Sequence, residues 1–199
     1  MLSIEDQIEN RIKNASKGVL FFPEDFSDIG SSESVRVSLH RLEKKGLIRR
    51  VAQGIYVRPK ISKYIGETLP TAEEVAKGIA KRDHIRIIPT GVYALNALGL
   101  STQIPMKLVF LTDGAAREIK VGKRSIKLKR TTPKNLSAKG EISALVIQAL
   151  REIGKGNLTK EEESQILNKL KMEDIKNLEH DIKLAPVWIQ KILQKSITK

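Results

Sequence analysis

Residues 31–57 constrain the fold more than any other stretch. A serine pair, Ser31 and Ser32, stands where a helix would begin, and Gly46 stands where it would end. At about 100° per residue, Val35, Leu39 and Leu42 fall on one arc between them. The opposite arc holds Arg36, Val37, His40, Arg41 and Lys44. Two β-rich runs follow, residues 47–51 and 55–58, around Ala52, Gln53 and Gly54, which is the pattern of a hairpin. Arg49, Arg50, Gln53 and Arg58 would decorate it. Upstream, Ser3 can cap a helix with apolar positions Ile4, Ile8, Ile12 and Ala15, ended by Gly18. Pro23 can open a second, brief helix containing Phe26 and Ile29. Three helices and then a hairpin is the order of a winged helix-turn-helix. The same order also suits a small structural three-helix domain whose basic face is merely solvated.

The outward arc of the third helix carries what a major-groove helix needs. Arg36, His40, Arg41 and Lys44 offer donors to base edges and phosphates, and Val37 offers methyl groups to thymine. Ser31 and Ser32 can donate to phosphate beside the free N–H groups of the first turn. Arg49, Arg50 and Gln53 would grip the backbone or minor groove. Charge agrees with a polyanionic partner, since 36 Lys and Arg face 23 Asp and Glu, a formal net charge of +13. Double-stranded DNA is the expected partner.

The excess charge lies mostly in the middle of the chain. Its densest run is Arg117, Lys120, Lys123, Arg124, Lys127, Lys129 and Arg130, continued by Lys134 and Lys139, against Glu118 as the one acid. This reads either as a second polyanion surface or as a solvated sheet face.

Several chemistries lack their residues. There is no cysteine, which removes disulfides, thiol nucleophiles and thiolate metal sites. His40, His84 and His180 are far apart, and no phosphate-loop, dinucleotide or metalloprotease motif occurs, so neither a cofactor nor a metal is expected and the chain reads as a non-enzyme. One arrangement resembles a Mg²⁺ nuclease: Asp113 ends a strand and Glu118-Ile119-Lys120 opens the next. A polar Asp113-Gly114 turn is the simpler reading. With aromatics at 4%, single-strand stacking is poorly supported. No apolar run approaches the ~20 residues that span a bilayer. The acidic first residues lack a signal core. No membrane partner and a cytoplasmic location are expected.

The remaining chain reads as mixed α and β. Residues 58–70, with Gly66 and two prolines, read as an irregular bridge. Thr71 and Glu74 form a capping box for a helix burying Ala72, Val75, Ala76 and Ile79. Residues 85–88 read as a strand, and Thr90 as the cap of a helix that turns Val92, Leu95 and Leu98 inward. Residues 107–112 form the next strand. Ile119, Val121, Ile126 and Leu128 alternate with charges around Gly122-Lys123 as a hairpin. Four helical stretches follow, built on Ile142–Ile153, Thr159 with Glu162, Ile175–Ile182, and the run after Pro186. The expected class is α+β: a winged helix-turn-helix over residues 1–60, then a mixed α/β domain with a helical tail over residues 67–199.

Residues 31–57, with the helix followed by Gly-Leu-Ile-Arg-Arg and Gly-Ile-Tyr, resemble the AbiEi-like antitoxins of bacterial type IV toxin–antitoxin systems. Residues 90–100 and 109–112 are similar to the second domain of that family, and the likeness extends over about residues 1–135. The resemblance implies an N-terminal winged helix that represses its own operon and a C-terminal domain with antitoxin activity. It further implies a nucleotidyltransferase-like toxin, or the RNA that toxin acts on, as a partner beside operator DNA. Two other readings stand beside it: a stand-alone regulator whose second domain senses a small molecule, and the Mg²⁺ nuclease.

Overall fold

The computed structural model describes residues 2–197. Among them are eight α-helices and three small sheets, so the chain is a mixed α+β protein. It divides into two compact units. One runs to Ile79 and takes in Ile119–Lys123; the other comprises Ala80–Glu118 and the residues from Arg124 onward.

In the first unit, α1 spans Ile4–Asn14 and starts in a capping box in which Ser3 and Asp6 exchange hydrogen bonds. Strand β1, Leu20–Phe21, leads into a 3-10 turn, Pro23–Phe26. The second helix expected from sequence is only this turn. It is fixed by Asp25, whose carboxylate accepts from the Phe22 N–H at 2.8 Å, and by Arg11, which grips Asp28 at 2.6 and 2.8 Å. Helix α2, Ser32–Lys44, is capped by Ser31. It ends in paired bonds from the Gly46 N–H to the Glu43 carbonyl and from the Leu47 N–H to the Leu42 carbonyl. That closure puts Gly46 at φ +78°, where a side chain would be strained. Strands β2, Arg49–Ala52, and β3, Ile55–Val57, form an antiparallel hairpin, and β1 adds to the other edge of β3. Ile8, Ile12, Phe21, Phe26, Val35, Leu39, Leu42, Ile48 and Tyr56 form one core.

The bridge expected over residues 58–70 is instead a second hairpin, β4, Lys60–Ser62, against β5, Gly66–Thr68. It leaves Ile61, Tyr64 and Ile65 exposed, so no buried face imposes the alternation that marks a strand in sequence. Helix α3, Ala72–Arg82, begins with the Thr71–Glu74 capping box and buries Ala72, Val75, Ala76 and Ile79.

The second unit centres on the strands β6, Ile87–Thr90; β7, Lys107–Thr112; and β9, Arg124–Arg130, in that order across the sheet, while β8, Arg117–Val121, is divided between the units at Ile119. β6 is antiparallel to β7, whereas β7 and β9 are parallel. The first strand lies two residues later than its apolar run suggests. It accommodates Pro89 because β6 is an edge, where a missing N–H is tolerated. Thr90 ends β6 and does not cap α4, Val92–Ala97. The cap is Gly91, at φ +65° and ψ −150°, a conformation essentially confined to glycine. Tyr93, Ala94 and Leu98 are the buried positions there; Leu95 packs half-buried against the same core as expected, whereas Val92 does not join it.

After a 3-10 turn, Pro133–Leu136, come α5, Glu141–Ile153; α6, Lys160–Leu170; α7, Ile175–Ile182; and α8, Val187–Gln194, for which Pro186 is the cap residue. Helix α5 contacts α4, α6, α7 and β6. Its Val146, Ala149 and Leu150 sit in a helical core with Ile166, Leu170, Leu178, Ile189 and Leu193, against which Trp188 packs. No helix of the described residues is long and apolar enough to cross a membrane.

Candidate nucleic-acid interface

Helix α2 turns two chemically distinct faces in opposite directions. Val35, Leu39 and Leu42 are buried, while Arg36, Val37, His40, Arg41 and Lys44 are exposed, Val37 at 44%. The division expected from the helical period is therefore the one the structure has. The hairpin β2–β3 follows after four residues and closes through Gln53 and Gly54. Arg50 and Gln53 are exposed there, and Arg50 has no ion-pair partner among the described residues.

Other candidates are already engaged inside the unit. The Ser31 hydroxyl accepts from the Ser34 N–H at 3.3 Å and donates to the Ser34 hydroxyl at 3.0 Å, whereas Ser32 is exposed on the first turn. Arg41 lies 3.5 Å from Glu5 of α1, and that carboxylate also accepts from Lys45 at 2.7 Å. The Lys45 hydrogen bond is the main reason the Glu5 carboxyl sits below the usual carboxylate range. His40 lies 3.5 Å from Glu43. Arg49 pairs with Glu67 of β5 at 2.7 Å and donates to the Gly46 carbonyl at 3.2 Å. Arg58 donates to the Lys13 carbonyl at 2.6 Å, closing the C-terminal end of α1. Glu5 and Glu67 are the residues a reading of sequence misses. Each acts on a cation many positions away, and no spacing rule connects them.

The middle basic run does not form one uniform set. Arg117 pairs with Asp83, which also accepts from Arg82 at 2.6 Å, and the Arg117 Nε is buried without a hydrogen-bond partner. Arg82, first, and Arg117 then hold the Asp83 carboxyl below its ordinary value against the opposing effect of burial. Arg124 is half-buried, while Lys120, Lys123, Lys127, Lys129 and Arg130 are exposed. The register pairs Lys107 with Ser125, Val109 with Lys127, and Leu111 with Lys129, so these six residues share the sheet face opposite buried Leu108, Phe110, Ile126 and Leu128. An open depression of about 820 Å³ lies over part of that face, and Val109, Leu111, Tyr93, Ile104, Met106 and Lys129 are among the residues that line it.

The carboxylates that resemble a nuclease pair are both occupied. Asp113 accepts from the Arg86 side chain at 2.9 Å and from its N–H at 2.8 Å, which lowers its pKa. Glu118 accepts from Lys107 at 2.8 Å, which together with Ser125 lowers its own. Among the described residues no group of three His, Cys, Asp or Glu side chains is placed to hold a metal ion.

No curated protein matches the chain. Residues 7–178, most of both units, match the family model DUF6088, and the chain therefore belongs to that family, a family of unknown function.

Proposed function

We propose that this protein is a cytoplasmic double-stranded-DNA-binding repressor of its own operon and the antitoxin of a type IV toxin–antitoxin pair. In this reading the first unit is a winged helix whose α2 enters the major groove while Arg50 and Gln53 meet the adjoining backbone. One observation carries it: Arg36, Val37, His40 and Lys44 stand exposed on the side of α2 opposite its buried stripe. That side offers bidentate and single donors plus an apolar group, the set a base-edge reader uses. The antitoxin role is supported by the likeness of residues 31–57, 90–100 and 109–112 to AbiEi-like antitoxins, and its partner would be a nucleotidyltransferase-like toxin or that toxin's RNA target.

The test has two parts. Gel shifts with the DNA just upstream of the coding sequence should show a specific complex that Arg36→Ala weakens. Equal binding of upstream and random DNA by wild type would overturn the operator reading. Co-expression with the neighbouring gene product should rescue growth, and failure of rescue with specific DNA binding intact would leave a stand-alone regulator. The open depression beside Tyr93 and Met106 is where that second reading would place its small molecule.

A further inference from the structure

One face of the parallel pair β7–β9 has no covering layer. Thr90 of β6 is the register partner of Val109, so the two share a face of the sheet. Thr90 Oγ1 donates to Gln148 Oε1 of α5 at 3.4 Å, and α5 packs on β6, so the helix lies on that same face. Beyond it the face continues through Val109 and Leu111 of β7 and Lys127 and Lys129 of β9. The two apolar side chains are only half-buried, and both lysines are exposed. Just before β7, Ile104 and Met106 are 65% and 59% exposed and line the same depression as Val109 and Leu111.

Parallel strands are normally covered on both faces, most often by helices. The opposite face of this pair obeys the rule, since Leu108, Phe110, Ile126 and Leu128 are buried. The uncovered part is one helix wide: neighbouring strands lie about 5 Å apart, and a helix with its side chains is about 10 Å across. The run from Lys107 to Leu111 is ~13 Å long, the length of roughly two to three helical turns.

Charge sets which helix fits. Lys127 and Lys129 stand on the β9 side, whereas Glu152 of α5 lines the depression from the other side. Glu118 is already bonded to Lys107 at 2.8 Å. The aliphatic floor suits a protein better than a nucleic-acid strand: Tyr93, the aromatic ring that lines the depression, is buried and packs against Phe110, so it cannot serve as a stacking platform.

We propose that this face binds one amphipathic helix of a partner protein, laid beside α5. Its apolar stripe would cover Val109, Leu111 and Met106, and Asp or Glu on one flank would meet Lys127 and Lys129. The inference uses the second unit alone and does not depend on DNA binding by the first.

The test is a selection of displayed random peptides, about three helical turns long, on the immobilised full chain. Selected peptides should carry apolar residues three and four positions apart, with Asp or Glu on one flank. Fluorescence anisotropy of a selected peptide should show Kd rising about tenfold or more in Lys127→Glu/Lys129→Glu, where both exposed cations are reversed. Met106→Asp should weaken binding as well, and Lys176→Glu, at an exposed position of α7, should not. Replacing the peptide's acids by Lys should restore binding to the doubly reversed protein. Failure to enrich any such peptide would overturn the proposal, and this arm needs no variant to fold. So would an unchanged Kd in Lys127→Glu/Lys129→Glu and Met106→Asp proteins of wild-type circular dichroism. An RNA oligonucleotide is the counter-probe: saturable RNA binding lost in the doubly reversed protein, with no peptide enriched, would make this a nucleic-acid surface instead.

Discussion

The Arg41 guanidinium of α2 lies 3.5 Å from the Glu5 carboxylate of α1, which is also bonded to Lys45. One edge of the basic helix face is thereby partly neutralised by its own fold, whereas Arg36 and Lys44 carry no such acid. The two arginines should differ in consequence. Arg36→Ala should weaken specific DNA binding by about 1–3 kcal/mol and relax preference at one base pair. Arg41→Ala should cost less. Glu5→Gln should tighten binding, because it removes a negative charge that phosphates would otherwise face. Fluorescence anisotropy with upstream and random duplexes ranks the three, and a Glu5→Gln protein that binds more weakly than wild type would contradict this arrangement.

Arg49 and Arg50 are neighbours in β2 with different duties. Arg50 is exposed, while Arg49 is held by Glu67 and the Gly46 carbonyl. A phosphate contact by Arg50 would release counterions, so Arg50→Ala should shallow the dependence of log K on log salt by about 0.9. Arg49→Ala should leave that slope unchanged. It should also lower stability by no more than about 1 kcal/mol, the range for half-exposed ion pairs. Titrations at several salt concentrations, with urea melts of both variants, separate the two roles.

Elements defined by their own local chemistry were legible in the sequence. Ser3, Ser31, Thr71 and Thr159 cap helices within three residues of themselves, and the period of Val35, Leu39 and Leu42 names the buried face of α2. What escaped depends on distant partners. Nothing beside Gly140 signals that α5 is capped by Glu173 and Asp181, because both carboxylates arrive from more than 30 positions away. The parallel pairing of β7 with β9 sets which lysines share a face with Lys107, and strand order is not encoded in any one strand. The β4–β5 hairpin escaped for the opposite reason: with Ile61, Tyr64 and Ile65 exposed, no burial pattern exists to read. For the candidate interface, the exposed arc could be read from helical period alone. The ion pairs that discount Arg41, Arg49 and Arg117 could not.

His84 is the one described non-glycine residue with positive φ, at +53°. It follows α3 where a helix usually ends on glycine: the His84 N–H bonds to the Lys81 carbonyl and the Ile85 N–H to the Ala80 carbonyl. The imidazole is exposed, so the left-handed backbone carries a cost that burial of the side chain does not offset. His84→Gly should raise stability by about 0.5 kcal/mol, and His84→Val should lower it by more than that. Chemical denaturation of the two variants beside wild type checks the order. A destabilised His84→Gly protein would mean that the ring makes a contact worth more than the strain.

Asp181 should be the most costly single polar side chain to lose. It is 0% exposed. Its carboxylate accepts from the Lys139 N–H at 2.9 Å, the Gly140 N–H at 2.9 Å and the Ser143 hydroxyl at 2.5 Å, and meets His180 Nδ1 at 2.7 Å. These donors gather at the start of α5, where Gly140 has no side chain to cap with. Asp181→Ala would leave several buried donors unpaired, at about 1–3 kcal/mol for each before relaxation. A net loss of about 3 kcal/mol or more is expected. Burial pushes the Asp181 carboxyl up, but the bonds from His180, Ser143 and the two backbone N–H groups outweigh it and hold the pKa below its ordinary value. A carboxyl with a depressed folded pKa contributes stability that is fully present above the unfolded value, about 3.9, and is lost as pH falls through the folded one. The gap in unfolding free energy between wild type and Asp181→Asn should therefore be widest near neutrality and narrow below about pH 4. Urea unfolding at a series of pH values measures it. A gap that stays constant into strong acid would show that the Asp181 proton is not coupled to folding, and that the side chain acts by shape alone.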